Sequence, residues 1–194
     1  MSSPSARLTI VAPSLAATHA VAGVLASLSR RGDVVVLAGE MGSGKTAFAQ
    51  GFGRALGVTE PITSPTFTLV HTYEAPRIRL HHADVYRLDQ LAEVADLALG
   101  ELAEFDGIVL VEWGDVVSAA LGEHLEVRLE LFNESAECDD ESADDARRKE
   151  ASEAPPGRRI RIAPRGPAWA KRWSAVTAAI GALGLEAAGG PSPC

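Results

Sequence analysis

Gly39-Glu40-Met41-Gly42-Ser43-Gly44-Lys45-Thr46 satisfies every fixed position of G-x-x-x-x-G-K-[ST]. The chemistry that needs these residue types at this spacing is a grip on the phosphates of a nucleoside triphosphate. The glycines allow a tight backbone turn with no side chain in the way, so successive N–H groups can point inward at the β-phosphate. Lys45 brings a mobile positive charge to the β- and γ-phosphates, and the Thr46 hydroxyl ligates Mg²⁺. The loop must also open a helix, whose N-terminus adds its own positive partial charge.

Such a loop hydrolyses nothing without an acid near the metal and a group that positions water. Glu112 follows the apolar run Ile108-Val109-Leu110-Val111, and Asp84 follows residues 78–83 in the same way. Both therefore fall at the C-terminal ends of strands, where open α/β sheets bind ligands. A carboxylate there holds Mg²⁺, directly or through water, or orients the attacking water. The structural alternative is that each acid caps the helix after its strand; Asp115 suits that capping role better than a ligand role. One of His81 and His82 faces the site if their strand alternates, and either reads first as a structural hydrogen-bonder. Ser64-Pro65-Thr66 fits a γ-phosphate-sensing switch and a plain turn equally well.

The elements needed to position these groups are visible in the apolar pattern. Val34-Val35-Val36-Leu37-Ala38 reads as a buried parallel strand directly before the loop. After it Phe48, Phe52 and Ala55-Leu56 recur at helical spacing, with Gly57 as a stop. Upstream, Leu8-Thr9-Ile10-Val11 reads as a strand, and Ser14 caps a helix carrying Val21, Val24, Leu25 and Leu28 on one face. Residues 66–73 and 78–83 read as strands and 88–102 as a helix. Residues 125–131 and 158–162 each alternate apolar with charged side chains and are expected to pair as an antiparallel hairpin. Trp169, Trp173, Val176, Ile180 and Leu183 form one stripe on a C-terminal helix.

Charge is concentrated rather than spread. The chain of 194 residues carries a net charge of -8, of which residues 134–157 supply most, with nine acids and three bases. That tract cannot bury enough apolar surface to offset ordering entropy, so a disordered acidic insertion between two strands is expected. The remainder is close to neutral, which argues against high-affinity nucleic-acid binding by this chain alone. From Arg158 onward there are six bases and one acid, so a local basic face remains open. With 46% hydrophobic residues a single domain over 1–194 is expected. Cys138 and Cys194 lack metal-ligand spacing and read as free thiols. No stretch has the look of a signal peptide or reaches a membrane span, so a soluble, intracellular chain is expected.

The loop Gly39 to Thr46, then Thr63-Ser64-Pro65-Thr66-Phe67, His82-Ala83-Asp84-Val85-Tyr86-Arg87 and Val111-Glu112-Trp113 occur in that order. Together they resemble the TsaE family, small bacterial P-loop ATPases that support threonylcarbamoyladenosine modification of tRNA. The likeness covers roughly residues 8–132 and resumes more weakly from 158. It implies an α/β, P-loop NTPase-like three-layer fold with a mixed central sheet and an antiparallel portion near the C-terminus. It implies slow, Mg²⁺-dependent ATP hydrolysis in the cytoplasm, coupled to the TsaD–TsaB heterodimer, with tRNA met only through that complex. In matching positions, Glu40, Met41, Gly42, Ser43, Gly44, Lys45, Thr46 and Ala47 would hold the nucleotide, with Thr66 near the γ-phosphate and Trp113 beside the site. Thr46, Asp84 and Glu112 would serve the metal, and Lys45, Asp84 and Glu112 catalysis. Two departures stand out: Ala83 between His82 and Asp84, and the acidic insertion.

A small-molecule kinase is the rival enzyme, with Arg77, Arg79 and Arg87 recruited to an acceptor phosphate, though no long helical lid is visible. A GTPase is disfavoured because the one asparagine, Asn133, is followed by Glu134 rather than by a guanine-reading motif. A nucleotide-dependent switch without catalytic purpose looks the same in sequence as a slow ATPase.

Overall fold

The computed structural model describes residues 6–86, 97–115, 121–132 and 157–187. Along the chain these form β1 (Leu8–Ala12), α1 (Leu15–Leu28), β2 (Val34–Ala38), α2 (Lys45–Leu56), β3 (Val70–Glu74) and β4 (Arg79–Asp84). Then follow α3 (Leu99–Asp106), β5 (Gly107–Glu112), β6 (His124–Phe132), β7 (Gly157–Arg165), the single turn α4 (Pro167–Ala170) and α5 (Trp173–Gly181).

All seven strands lie in one sheet of order β1-β7-β6-β2-β5-β4-β3. The centre, β6-β2-β5-β4, is parallel. β7 joins β6 and β1 antiparallel, and β3 joins β4 antiparallel at the opposite edge. The sheet is therefore mixed, with the expected hairpin between the late strands and an antiparallel edge at β3 as well.

Each face has its own core. On one face Phe48 and Phe52 of α2, Val21 and Leu25 of α1, Trp169 of α4 and Val176 of α5 pack on Val35, Leu37, Leu110, Val127 and Ile160. On the other, Leu99 and Ala103 of α3 cover Val34, Val36, Val109, Val111 and Ala83. These three layers explain why β2 and β5 are apolar at almost every position: a strand covered on both faces cannot alternate. β6 does alternate, with Leu125, Val127 and Leu129 buried and Leu131 exposed at the end. The close approach of α1 to α2 rests on Gly51, where a β-carbon would lie 2.7 Å from His19 Cα.

Local signals behave as the sequence suggests at both helix ends that matter here. Ser14 Oγ accepts from Ala17 N at 3.1 Å, and Gly57 closes α2 at φ 93°. Two expectations need correction. Residues 66–69 form a turn, not the start of a strand, because Thr68 N and Leu69 N both donate to Pro65 O and Leu69 takes φ 62°. The C-terminal stripe is broken into two helices at Lys171–Arg172. There Arg172 turns inward to make a two-pronged pair with Asp33 at 2.6 and 2.8 Å, stacked over Trp169. Three of the six basic side chains of the C-terminal stretch are paired: Arg161 with Glu130, Arg165 with Glu126 and Arg172 with Asp33. Most of the expected helix over 88–102, Arg87, nearly all of the acidic tract, Cys138 and Cys194 lie outside the described residues. Among the described residues no helix is long and apolar enough to cross a membrane.

Candidate functional site

Three elements that are distant in sequence converge at the carboxyl ends of the parallel strands. The first is the loop between β2 and α2. Gly39, Gly42 and Gly44 hold φ of 135°, 80° and 104°, values that an L side chain rarely adopts. A β-carbon on Gly39 would also run into the Leu129 carbonyl of β6. The loop delivers Lys45 and Thr46 to the first turn of α2, with Phe48 N bonded back to Gly44 O at 2.9 Å. Ser43 Oγ is buried inside the loop without a hydrogen-bond partner.

Lys45 Nζ donates to Gly39 O at 2.8 Å and Glu40 O at 2.9 Å and sits 3.6 Å above the Trp113 ring. Burial pushes its pKa below the ordinary lysine value, and the charges of Glu112, Asp84 and Asp115 pull it back up. Trp113 holds φ 63°, an uncommon and costly setting for a bulky residue, anchored by its N–H on Leu37 O at 2.9 Å. Tyr86 packs against the indole, the two rings tilted at 45° with centres 4.7 Å apart.

The second element is the end of β5. Glu112 accepts from Thr46 Oγ1 at 2.9 Å on Oε1 and 3.2 Å on Oε2. This contact spans 66 positions of sequence and joins the phosphate-loop motif to the strand-end acid. The third is the end of β4, where Asp84 lies in register beside Glu112. Asp84 Oδ2 accepts from Ser64 Oγ at 2.7 Å and Thr66 Oγ1 at 3.2 Å, and Oδ1 from Tyr86 N at 3.0 Å. The turn at 64–69 is thereby fastened to the acid by its hydroxyls. His82, two residues before Asp84 and so on the same side of the strand, puts Nε2 2.9 Å from Glu112 Oε1. His81 points the other way and meets Thr72 Oγ1 at 2.9 Å.

Met41, Gly42, Gly44, Lys45, Thr46, Ser64, Thr66, Asp84, Tyr86, Glu112 and Trp113 line one cleft of about 290 Å³. Glu40 and Ser43 line a neighbouring cavity of about 480 Å³, shared with Met41, Trp113, Asp115 and Arg128. Ala47 lines neither. Asp115 accepts from Arg128 at 3.1 Å across to β6. Tyr86, Arg128 and the Glu112–His82 contact were not picked out as site features by sequence. The same-side spacing of His82 and Asp84 was the available signal for the last. Arg77 precedes β4 and Arg79 opens it, at the end of that strand remote from Asp84, and Arg79 pairs with Glu74 at 2.7 Å. That places them away from the cleft that a kinase acceptor would share.

The donor set around the cleft is a hydroxyl and carboxylates, hard oxygen ligands suited to magnesium. Among the described residues no group of three or more His, Cys, Asp or Glu forms a complete metal cage.

A mixed sheet flanked by helices, with a glycine loop opening α2 at its centre, is the P-loop NTPase fold. The crystal structure of Bacillus subtilis YdiB superposes with a TM-score of 0.65 at 25% identity, covering 94% of this chain and 99% of that one. The family model "Threonylcarbamoyl adenosine biosynthesis protein TsaE" matches residues 12–141, and the chain belongs to the TsaE family. Proteins named tRNA threonylcarbamoyladenosine biosynthesis protein TsaE are similar in sequence. That of Bacillus subtilis is 40% identical over 54% of this chain and 65% of its own length. That of Treponema pallidum is 43% identical over 52% and 74%, and that of Mycobacterium tuberculosis H37Rv 44% over 54% and 67%. The matched stretch thus spans about two thirds of the length of these relatives.

Proposed function

We propose that this chain is a slow, Mg²⁺-dependent ATPase that supports threonylcarbamoyl modification of adenosine 37 in tRNA in the cytoplasm, acting with the TsaD–TsaB heterodimer. The observation that carries the ATPase reading is the Thr46–Glu112 contact, which ties the phosphate loop to an acid from a different strand. The tRNA pathway and the partners rest on family membership.

The amides of residues 40–46 would cradle the β-phosphate, and the Lys45 ammonium would lie on the β- and γ-oxygens. Thr46, whose hydroxyl proton is directed at Glu112, keeps its oxygen lone pairs for a cation. Thr46, Asp84 and Glu112 would hold magnesium, which when bound supplies positive charge against the triphosphate. Glu112 would orient the water that attacks the γ-phosphorus, while the bond to the ADP oxygen breaks and the water's proton leaves to solvent. Asp84 would hold the hydration shell, and Thr66 would bring its loop to the γ-phosphate. Burial of both carboxylates at the foot of the cleft, each about 3% exposed, keeps their oxygens fixed.

ATP turnover measured with the chain alone and with added TsaD–TsaB tests this. Slow turnover alone that rises with the heterodimer is expected. Glu112→Ala should keep nucleotide binding and lose turnover by about 100-fold, the usual effect of removing one group that acts in the transition state. Parental turnover in that variant would remove Glu112 from the reaction.

A further inference from the structure

His82 sits on central strand β4 and is fully buried. One ring nitrogen, Nε2, faces Glu112 Oε1 at 2.9 Å; the other, Nδ1, is buried with no hydrogen-bond partner. An ionised carboxylate can only accept, so Nε2 donates to Glu112, and in the neutral imidazole Nδ1 is then an acceptor without a partner. A buried acceptor left unsatisfied lowers stability, and an apolar side chain of similar size on this strand would avoid that loss. The bond on the other nitrogen is what the imidazole supplies in return.

That bond has a definite consequence for Glu112. Oε1 receives two donors at 2.9 Å, one from β4 and one from Thr46. Oε2 has the longer Thr46 contact of 3.2 Å. The two donors fix the carboxylate plane and occupy Oε1, so that Oε2 is the oxygen with capacity to receive a water or a hydrated cation. Thr46 alone, with a hydroxyl that can turn toward either oxygen, would not make that choice.

We infer that His82 is a positioning residue for Glu112, selecting which carboxylate oxygen serves the nucleotide; this rests on the proposed ATPase reading. His82→Leu should lower turnover about 10- to 100-fold at saturating ATP and magnesium, as loss of an orienting partner around a metal site typically does. It should leave affinity for magnesium-free ADP unchanged, which also reports that the variant is folded. His82→Gln, which retains an N–H within reach of Glu112, should restore most of the turnover. Should H82L not fold, His82→Asn, too short to reach the carboxylate, carries the same expectations. In a Glu112→Gln background the change at His82 should add nothing, because the two side chains act as one unit.

Parental turnover in H82L or H82N, a loss that Gln does not restore, or losses that simply add with E112Q would each overturn the inference. If the unmodified chain binds MgATP without turning it over, the ATPase reading fails separately. The role of His82 is then read from the magnesium dependence of ATP affinity. H82L must raise the magnesium needed for half-saturation in the Glu112 chain and not in E112Q; equal dependence in both overturns it.

Discussion

At Lys45 two effects oppose each other on one ammonium group. Burial disfavours its charge, and three nearby carboxylates favour it, with burial the larger. Its cationic form is the one that binds phosphate, and its pKa is lowered. Affinity for MgATP should therefore fall, as pH rises, earlier than an ordinary lysine would require. Bound phosphate raises the pKa again, so binding in that alkaline range should take up a proton. Calorimetry in two buffers of different ionisation enthalpy measures this uptake; none at alkaline pH would mean that Lys45 does not meet the phosphates. Lys45 and Thr46 were readable because their motif is contiguous. Glu112 and Asp84 were readable because a polar residue directly after a buried run marks a strand end. The Asp115–Arg128 pair was not, because its two halves meet only once β6 is laid beside β2.

Among the elements, α1 packs closely on α2, whose first turn carries Lys45 and Thr46. Gly51 permits it. Alanine in a helix interior ordinarily gains about 0.5–1 kcal/mol over glycine. Here the added methyl would meet His19 backbone at 2.7 Å, so Gly51→Ala should instead destabilise by about 1–3 kcal/mol through overpacking. A denaturant midpoint that rises in this variant would show that the two helices can part without loss. Strand and helix types were largely legible, since two-sided burial erases alternation in β2 and β5 and a 3.6-residue period marks α1 and α2. The turn at 66–69 was not. Its Thr and aromatic content favours a strand, but Pro65 O captures two amides and the Ser64 and Thr66 hydroxyls are drawn to Asp84. The break before α5 was hidden for a similar reason: the pull of Asp33 on Arg172 acts across 139 positions.

For the molecule as a whole, β7 closes the sheet by lying between β6 and β1, so the chain on either side of the acidic tract is held together by the sheet itself. Phe132 pairs directly with Gly157. Changing the length of a connection between paired strand ends costs little. Replacing residues 135–156 with a short glycine-serine link should therefore leave ATP turnover near the parental rate, and abolition of turnover would give that tract a part in the chemistry. The division of labour across the molecule puts the phosphate loop on β2, the acids on β5 and β4 and the orienting hydroxyls on the turn after α2. All of it presupposes that the cleft holds a magnesium-bound triphosphate through Lys45. Titration calorimetry of MgATP into the chain and into Lys45→Ala is the direct test. Saturable one-site heat in the first and an affinity weaker by about 10- to 100-fold in the second is the expected result, and an absence of binding heat in the first, or equal affinity in both, would contradict it.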